Sequence, residues 1–146
     1  MVEIVKMAAA HADAVLKMMR VFYTSPAVHT NGSEEIFAAD IARCIEENPY
    51  LEGYVFTEGE TVVGYGMVAK SFSTEFGRPC IWIEDLYLTE PYRGQGLGGQ
   101  FFALLEECYP KAILRLEVEE ENERAVRCYR KCGFDTLPYM EMKKIL

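Results

Sequence analysis

The sequence predicts a single α/β or α+β domain, residues 1–146, built around a central sheet. A chain of 146 residues suits one domain, and its 50% of hydrophobic residues can supply a core. Strand-like and helix-like patterns follow each other in the order strand, two helices, hairpin, strand, helix, strand, helix, strand. This mixed order, with no repeat or linker, is typical of helices packed on one sheet.

The N-terminal half is predicted to begin with a strand and two helices. Residues 2–7 alternate as a short strand, and residues 9–22 place their apolar side chains near helical spacing. The turn-rich stretch that follows ends at Ser33, a good N-cap for a second helix that runs to about Glu47. Two strands, residues 50–56 and 62–72, flank the turn "TEGET" and predict an antiparallel hairpin.

The C-terminal half alternates strands and helices. The most apolar strand, "PCIWIEDLYL", leads through a glycine-rich stretch into a helix with an apolar stripe, which ends before Pro110. The strand "AILRLEV" and the helix "ENERAVRCYRKC" follow, the latter capped by Asn122 and closed by Gly133. The tail "FDTLPYMEMKKIL" is expected to hold a last strand, interrupted at Pro138.

Charge and cysteine content exclude several classes of function. The net charge of −8 argues against non-specific nucleic-acid binding and is compatible with a cationic acceptor, although simple solubility also explains it. The N-terminus lacks the basic region of a signal peptide, and no run of 18 apolar residues occurs. The five cysteines form no C-x-x-C pair, so we expect reduced thiols and no metal site in a cytoplasmic protein without membrane or nucleic-acid partners.

A glycine-rich loop stands between the most apolar strand and its helix. In "RGQGLGG", Arg93 to Gly99, four of the last six residues are glycine. Glycine permits positive φ and lets a ligand reach the main chain, and a helix that begins there directs free N–H groups toward one spot. The loop therefore favours a phosphate or pyrophosphate, with Arg93 adding a charge-assisted contact. A tight strand-to-helix turn is the alternative.

The same loop partly matches a dinucleotide-binding motif. Gly94, Gly96 and Gly99 spell G-x-G-x-x-G, and Glu117 lies near the acidic position expected about 20 residues further on. However, "TEPYR" separates the strand from the glycines, and too few residues follow Glu117 for a doubly wound sheet. The phosphate-loop pattern Gly-Lys-Ser/Thr is absent. A nicotinamide-binding protein is therefore the weakest of the hypotheses considered.

A second pattern fits better. It joins Arg93-x-x-Gly96-x-Gly98, preceded by "IWIEDLYL", to the downstream "NERAVRCYRKCGF". Together these motifs resemble the GNAT superfamily of N-acetyltransferases over residues 80–134, and "IEDLYLTEPYRGQGLG" is particularly similar to its diamine and spermidine branch. The N-terminal half agrees in its element order. The resemblance implies a mixed, mostly antiparallel sheet that is splayed at its middle and flanked by about four helices.

The resemblance also implies a site for the cosubstrate acetyl-CoA and needs no metal. The glycine loop would bind the pyrophosphate, and the main chain of the splayed strand would pair with the pantetheine arm and polarise the thioester carbonyl. Asn122 matches a position that contacts the pantetheine arm, a role compatible with capping its helix. The matching residues are Leu86, Tyr87, Leu88, Arg93, Gly94, Gln95, Gly96, Leu97, Gly98, Gly99, Asn122 and Tyr129.

Two residues are candidates for acid–base catalysis. Tyr129 matches the family's tyrosine, and a phenol with a pKa of roughly 10 holds the proton that a leaving thiolate needs, although an aromatic residue on a helical stripe is otherwise typical of a core. Glu84 matches the glutamate of the polyamine branch, and alternation places it on one face with Trp82 and Leu86, opposite Asp85. Burial in this apolar strand would raise its pKa and suit a base, acting directly or through water, whereas a paired structural charge is the alternative.

The resemblance implies direct acetyl transfer, so Cys128 and Cys132 are interpreted as packing residues. The acceptor would lie against residues 23–35, which hold His29, Glu34 and Glu35; these acids and the net charge favour a cationic primary amine. A non-catalytic CoA-binding module is the second hypothesis. Homodimers are common in the resembled family, so a homodimer is also expected.

Overall fold

The computed structural model describes all 146 residues. Five strands form one sheet in chain order, and four α-helices cover it. All neighbouring strands run antiparallel except the last pair, which is parallel, so the predicted mixed, mostly antiparallel sheet is confirmed. The strands are β1 (Val2–Lys6), β2 (Leu51–Glu58), β3 (Thr61–Ser73), β4 (Arg78–Leu88) and β5 (Ile113–Leu116); the helices are α1 (Ala12–Phe22), α2 (Glu34–Ile45), α3 (Leu97–Cys108) and α4 (Glu123–Lys131).

Two apolar cores lie on opposite faces of the sheet. Neighbouring residues of a strand point to opposite faces, and Val55 belongs to the core beneath α1 and α2 while Tyr54 belongs to the core beneath α3. Val15 and Met19 of α1 are fully buried in the first core, and Phe101 of α3 is fully buried in the second. The helices are thus held by their apolar faces, as their sequence periodicity predicts.

Local sequence signals set the starts of two helices. The Ser33 side chain accepts a hydrogen bond from the Ile36 amide, so this residue caps α2 as predicted, and the helix ends at Ile45, slightly before the predicted Glu47. Asn122 caps α4 in the same way, through a hydrogen bond from the Ala125 amide. No helix in the structure combines the length and apolar character that crossing a membrane requires.

The parallel pair β4–β5 is short. Its register runs from Cys80 opposite Ile113 to Ile83 opposite Leu116, where β5 ends. From Glu84 onward, β4 pairs only with β3, so the sheet parts along the second half of β4. The splay expected from the family resemblance is therefore present.

The expected last strand is not formed. After α4, the chain turns at Gly133, with a φ of 95°, and residues 135–146 carry no regular structure. Pro138 has no N–H group to donate to a neighbouring strand. Tyr139 donates a hydrogen bond to Glu75 in the β3–β4 turn and lines the groove beside β5 without forming a strand. As a result β5 remains an edge strand.

Candidate active site

The glycine loop has the backbone geometry that its sequence predicts. Gly94 and Gly96 adopt φ values of 74° and 78°, in the left-handed region that L side chains rarely occupy. Gly96 is the N-cap residue of α3, and a β carbon placed on it would find nothing within 4 Å. The first amides of α3 therefore lie beside open space at the positive end of the helix dipole.

Two arginines flank this loop. The Arg93 Nε donates to the Leu88 carbonyl oxygen at 2.8 Å, and its guanidinium lies 5.4 Å from the centre of the Tyr87 ring. Arg124 of α4 brings its Nη2 within 3.4 Å of the position a β carbon would take on Gly94. Sequence reasoning missed Arg124, whose position just after the predicted cap Asn122 was the available signal. A second cation therefore stands over the turn that favours an anion.

The loop, β4 and α4 meet at one place. The Leu86 side chain lies 3.9 Å from a β carbon placed on Gly98, and the Cys132 sulfur lies 3.8 Å from one placed on Gly99. Leu86, Tyr87 and Leu88 belong to the part of β4 that has no partner on the β5 side. The structure thus places Leu86 beside Gly98, with the free edge of β4 next to the N-terminus of α3.

Tyr129 lies on α4 and is half-buried. The centre of its ring is 6.0 Å from the ring centre of Phe102 and 6.0 Å from that of Phe134. It also lines a groove of about 710 Å³ together with Trp82 and Leu116. Burial, and then the nearby Cys128 and Cys132, raise the pKa of Tyr129 above that of a free phenol. Its hydroxyl therefore holds a proton at neutral pH.

Glu84 lies in a β-bulge, which sequence alternation did not foresee. Val68 of β3 pairs with Ile83, and the preceding Met67 pairs with Asp85, so Glu84 is an extra residue in β4. The bulge leaves Glu84 exposed, whereas Asp85 is only 4% exposed. The expectation that Glu84 is buried in the apolar strand was therefore wrong, whereas Asp85 faces the core beneath α1 and α2, opposite Leu86, as the alternation predicted.

Asp85 is the centre of a buried network that sequence reasoning missed. Its two carboxylate oxygens accept hydrogen bonds from the hydroxyls of Tyr23 and Tyr65, at 2.9 and 2.8 Å. Burial raises the pKa of Asp85, the two tyrosine hydrogen bonds lower it, and Asp40 raises it again. Because Tyr23 immediately follows α1, this network ties the start of the predicted acceptor segment to β4. Only a two-residue carboxylate pair in an apolar strand signalled it.

Several carboxylates gather where the sheet parts. Partial desolvation, then the charges of Asp85, Glu141 and Asp40, raise the pKa of Glu84. A hydrogen bond with Glu141, followed by burial, raises the pKa of Glu117 to about 7, and Glu84 contributes to that shift. No ion pair neutralises Glu84, Asp85 or Glu117. The electrostatic field at this end of β4 therefore favours a cation.

The three residues named in the predicted acceptor segment lie in different environments. Glu34 is paired with Arg20, whose Nε donates to its two oxygens at 2.8 and 3.0 Å. His29 contacts Glu119, so the segment reaches across the splay to the loop before α4. Glu35 is exposed at the start of α2. Only His29 therefore lies toward the opening between β4 and β5.

The chain is similar to known acetyltransferases in sequence and in fold. Residues 13–134 match the family model described as "Acetyltransferase (GNAT) family". Thialysine N-ε-acetyltransferase of Mus musculus is 33% identical over 75% of this chain and 68% of its own length, and that of Bos taurus is 39% identical over 58% and 51%. The chain thus matches about half of the bovine protein's length. A structure of the aminoglycoside N-acetyltransferase AAC(6')-Iy in complex with CoA superposes with a TM-score of 0.80, at 12% identity, covering 99% of this chain and 95% of that one.

Proposed function

Because the chain belongs to the GNAT family of acetyltransferases, we propose that it transfers an acetyl group from acetyl-CoA directly to a cationic primary amine. The observation that carries this proposal is the free edge of β4 beside the glycine loop: Glu84 to Leu88 have no partner on the β5 side, and the open N-terminus of α3 follows at once. Residues 1–146 would act as one catalytic domain.

The main chain would hold the cosubstrate. The amides that follow Gly96 lie beside open space, and Arg93 and Arg124 flank them, which suits a diphosphate. Leu86, Tyr87 and Leu88 offer backbone groups to the amides of the pantetheine arm, in the way that an extra strand pairs with a sheet edge. A donor from this edge would polarise the thioester carbonyl. Gln95, Leu97, Gly98, Gly99 and Asn122 complete the proposed binding surface.

Tyr129 would act as the general acid. In the transfer, the amine nitrogen attacks the thioester carbonyl carbon, the C–S bond breaks, and the sulfur leaves with the electron pair. The sulfur then takes the phenolic proton of Tyr129, which returns to its protonated form through solvent. Its raised pKa keeps Tyr129 protonated before the reaction. The free edge of β4 supports this assignment because it would direct an acyl chain toward α4.

Glu84 would take the proton that the acceptor's ammonium group must lose before its nitrogen can attack. Its exposed position in the bulge leaves room for a water molecule between carboxylate and amine, and its raised pKa brings its basicity closer to that of the amine. The four carboxylates Asp40, Glu84, Asp85 and Glu117 would favour a cationic acceptor over a neutral one. A lysine-like amine agrees with the names of the thialysine N-ε-acetyltransferases.

We also propose that the protein is a cytoplasmic homodimer.

The test of the catalytic proposal is calorimetry with acetyl-CoA, followed by an acetylation assay with thialysine, lysine, spermidine and a neutral amine. We expect binding of acetyl-CoA and turnover of the cationic amines. Binding without turnover of any amine would support the non-catalytic CoA-binding module instead, and turnover of the neutral amine alone would contradict the assignment of a cationic acceptor.

A further inference from the structure

The groove beside β5 contains an arginine without an acidic partner. The groove has a volume of about 710 Å³, and its walls include Trp82, Arg115 and Tyr129. Arg115 is half-buried and forms no ion pair. Its guanidinium carbon lies 4.6 Å from the centre of the Trp82 ring, so an aromatic face holds the side chain in place. A planar guanidinium that lacks a carboxylate of its own is suited to a carboxylate supplied by a ligand.

Arg115 lies on the face of the sheet where the acceptor is proposed to bind. Ile83 belongs to the core beneath α3, so its neighbour Trp82 points to the opposite face. The register places Arg115 opposite Trp82, and the contact between the two side chains puts them on the same side. Asp85 points to that face too, because it accepts a hydrogen bond from Tyr65 of the core beneath α1 and α2. Arg115 and the buried carboxylate therefore share one face.

The charge on this face changes sign along the strands. The pKa of Glu117 is raised by a hydrogen bond with Glu141, then by burial and by the charges of Glu141 and Glu84, so these three carboxyls lie close together where the sheet parts. Arg115 lies two residues before Glu117, and Trp82 lies two residues before Glu84. Two positions along a strand span about 7 Å. The acidic end and the cation are therefore separated by roughly the length of an extended lysine side chain.

The position of Arg115 suits a short acceptor and not the phosphates of the cosubstrate. The glycine loop follows the end of β4 at Leu88, which lies six positions, or about 20 Å along the strand, from Trp82. Arg78 is the second unpaired arginine that lines the groove, but it lies four positions before Trp82, or about 13 Å along β4. A lysine-sized molecule whose amine lies at Glu84 therefore reaches Arg115 and not Arg78.

We propose that Arg115 binds the carboxylate of the acceptor, so that the preferred acceptor is a lysine-like amino acid and not a polyamine. The distal ammonium group lies at Glu84, the aliphatic stem passes Trp82, and the carboxylate meets the guanidinium of Arg115. A diamine without a carboxylate leaves this guanidinium unpaired and brings a second cation toward it, which is unfavourable. This inference rests on the proposed acetyl transfer and adds the residue that selects among cationic amines.

A comparison of lysine with cadaverine tests the proposal on the wild-type protein, because cadaverine is lysine without its carboxylate. Steady-state kinetics with acetyl-CoA measure kcat/KM for each amine. We expect kcat/KM for lysine to exceed that for cadaverine by about ten- to hundredfold, the effect of a charge-assisted contact. Equal values, or a preference for cadaverine, would overturn the proposal, while turnover of either amine would still support acetyl transfer.

Substitution of Arg115 assigns the preference to this residue. Arg115→Gln should raise the KM for lysine by about ten- to hundredfold, with kcat and the kinetics of cadaverine unchanged. Arg115→Lys keeps the charge and should recover part of the loss. Arg78→Gln is the matched control, since it removes the same charge from the same groove and should leave both amines unaffected. Equal losses for lysine and cadaverine in Arg115→Gln would reduce Arg115 to a support for Trp82 and contradict the proposal.

Calorimetry separates this inference from the proposed function. Lysine is titrated into the CoA-loaded wild-type protein and into CoA-loaded Arg115→Gln, and we expect weaker binding to the variant. Binding that depends on Arg115, without turnover of any amine, would support the carboxylate site and contradict acetyl transfer. No binding of lysine to the wild-type protein would overturn the carboxylate site, whichever amine is acetylated.

Discussion

The two sides of the parted sheet present different chemical groups: main-chain groups on one side and polar side chains on the other. On the glycine-loop side, the candidate groups are main-chain amides between Gly94 and Gly99 and the free edge of β4. On the side of α1 and α2, they are carboxylates and tyrosines, centred on Asp85 with Tyr23 and Tyr65. The first side is formed by one continuous segment, and the second by residues from three separate elements.

This difference fits the two partners of the proposed reaction. A cosubstrate that is always the same can be held by backbone, whose position a short local motif sets. An acceptor that differs among relatives is best selected by side chains, which can change while the fold is kept. Substitutions that change the backbone of the glycine loop should therefore weaken binding of the cosubstrate. Removal of single polar side chains should weaken binding of the acceptor.

Tyr129→Phe should have the largest effect, because Tyr129 is the proposed general acid. Removing the proton donor should slow turnover by about 10²–10⁴-fold while the affinity for acetyl-CoA is kept. Steady-state kinetics and calorimetry measure the two quantities. Tyr109→Phe is the control, since it removes a tyrosine hydroxyl that contacts Glu52 far from the cleft and should leave turnover unchanged. Equal losses in both variants would contradict the assignment of Tyr129 as the acid.

Gly96→Ala should weaken binding of acetyl-CoA by about ten- to hundredfold, the loss expected when one or two charge-assisted hydrogen bonds are disturbed. Gly59→Ala is a matched control. Gly59 has a φ of 61° in the β2–β3 turn, and a β carbon there also finds open space within 4 Å. Both variants should lose about 1–2 kcal/mol of stability from left-handed strain. Calorimetry should show weaker binding in the first alone; similar affinities would remove the anion-binding role of the loop.

Asp85→Asn should have the smallest effect on catalysis and a clear effect on stability. Replacing the buried carboxylate disturbs both tyrosine hydrogen bonds, which should lower the free energy of unfolding by about 1–3 kcal/mol.

Tyr23→Phe removes the hydrogen bond that ties the acceptor segment to Asp85, and it should raise the KM for the amine. Tyr65→Phe, the matched variant on β3, should lower stability alone. A KM that is unchanged in Tyr23→Phe would show that the network is structural only.

The pH dependence of that stability has a definite sign. The pKa of Asp85 is raised above its ordinary 3.8 by burial, so the folded state binds this proton more tightly than the unfolded state. Its contribution is fully present below pH 3.8 and is lost as the pH rises through the folded-state pKa. The Asn variant should lack this loss, which chemical denaturation across the acidic range can measure.

Features that depend on neighbouring residues could be predicted from the sequence, whereas features that depend on distant segments could not. Ser33 and Asn122 could be placed at helix starts because capping depends on residues three positions away. The exposure of Glu84 and the burial of Asp85 could not be predicted, because a bulge is an irregularity in pairing with β3 that the sequence of β4 does not mark. The last strand was expected from its composition, but a strand forms only through backbone pairing with a neighbouring edge, and residues 135–146 carry no regular structure.

The sequence by itself determined the order of the elements, the cores on both faces and the glycine turn, since these depend on side-chain periodicity and on φ angles that only glycine adopts readily. The tertiary structure decided which carboxylate is buried, which arginine joins Arg93 at the loop and which strand edge is left open. Those outcomes depend on contacts between segments far apart in the chain, and no local pattern encodes the distance between two such segments.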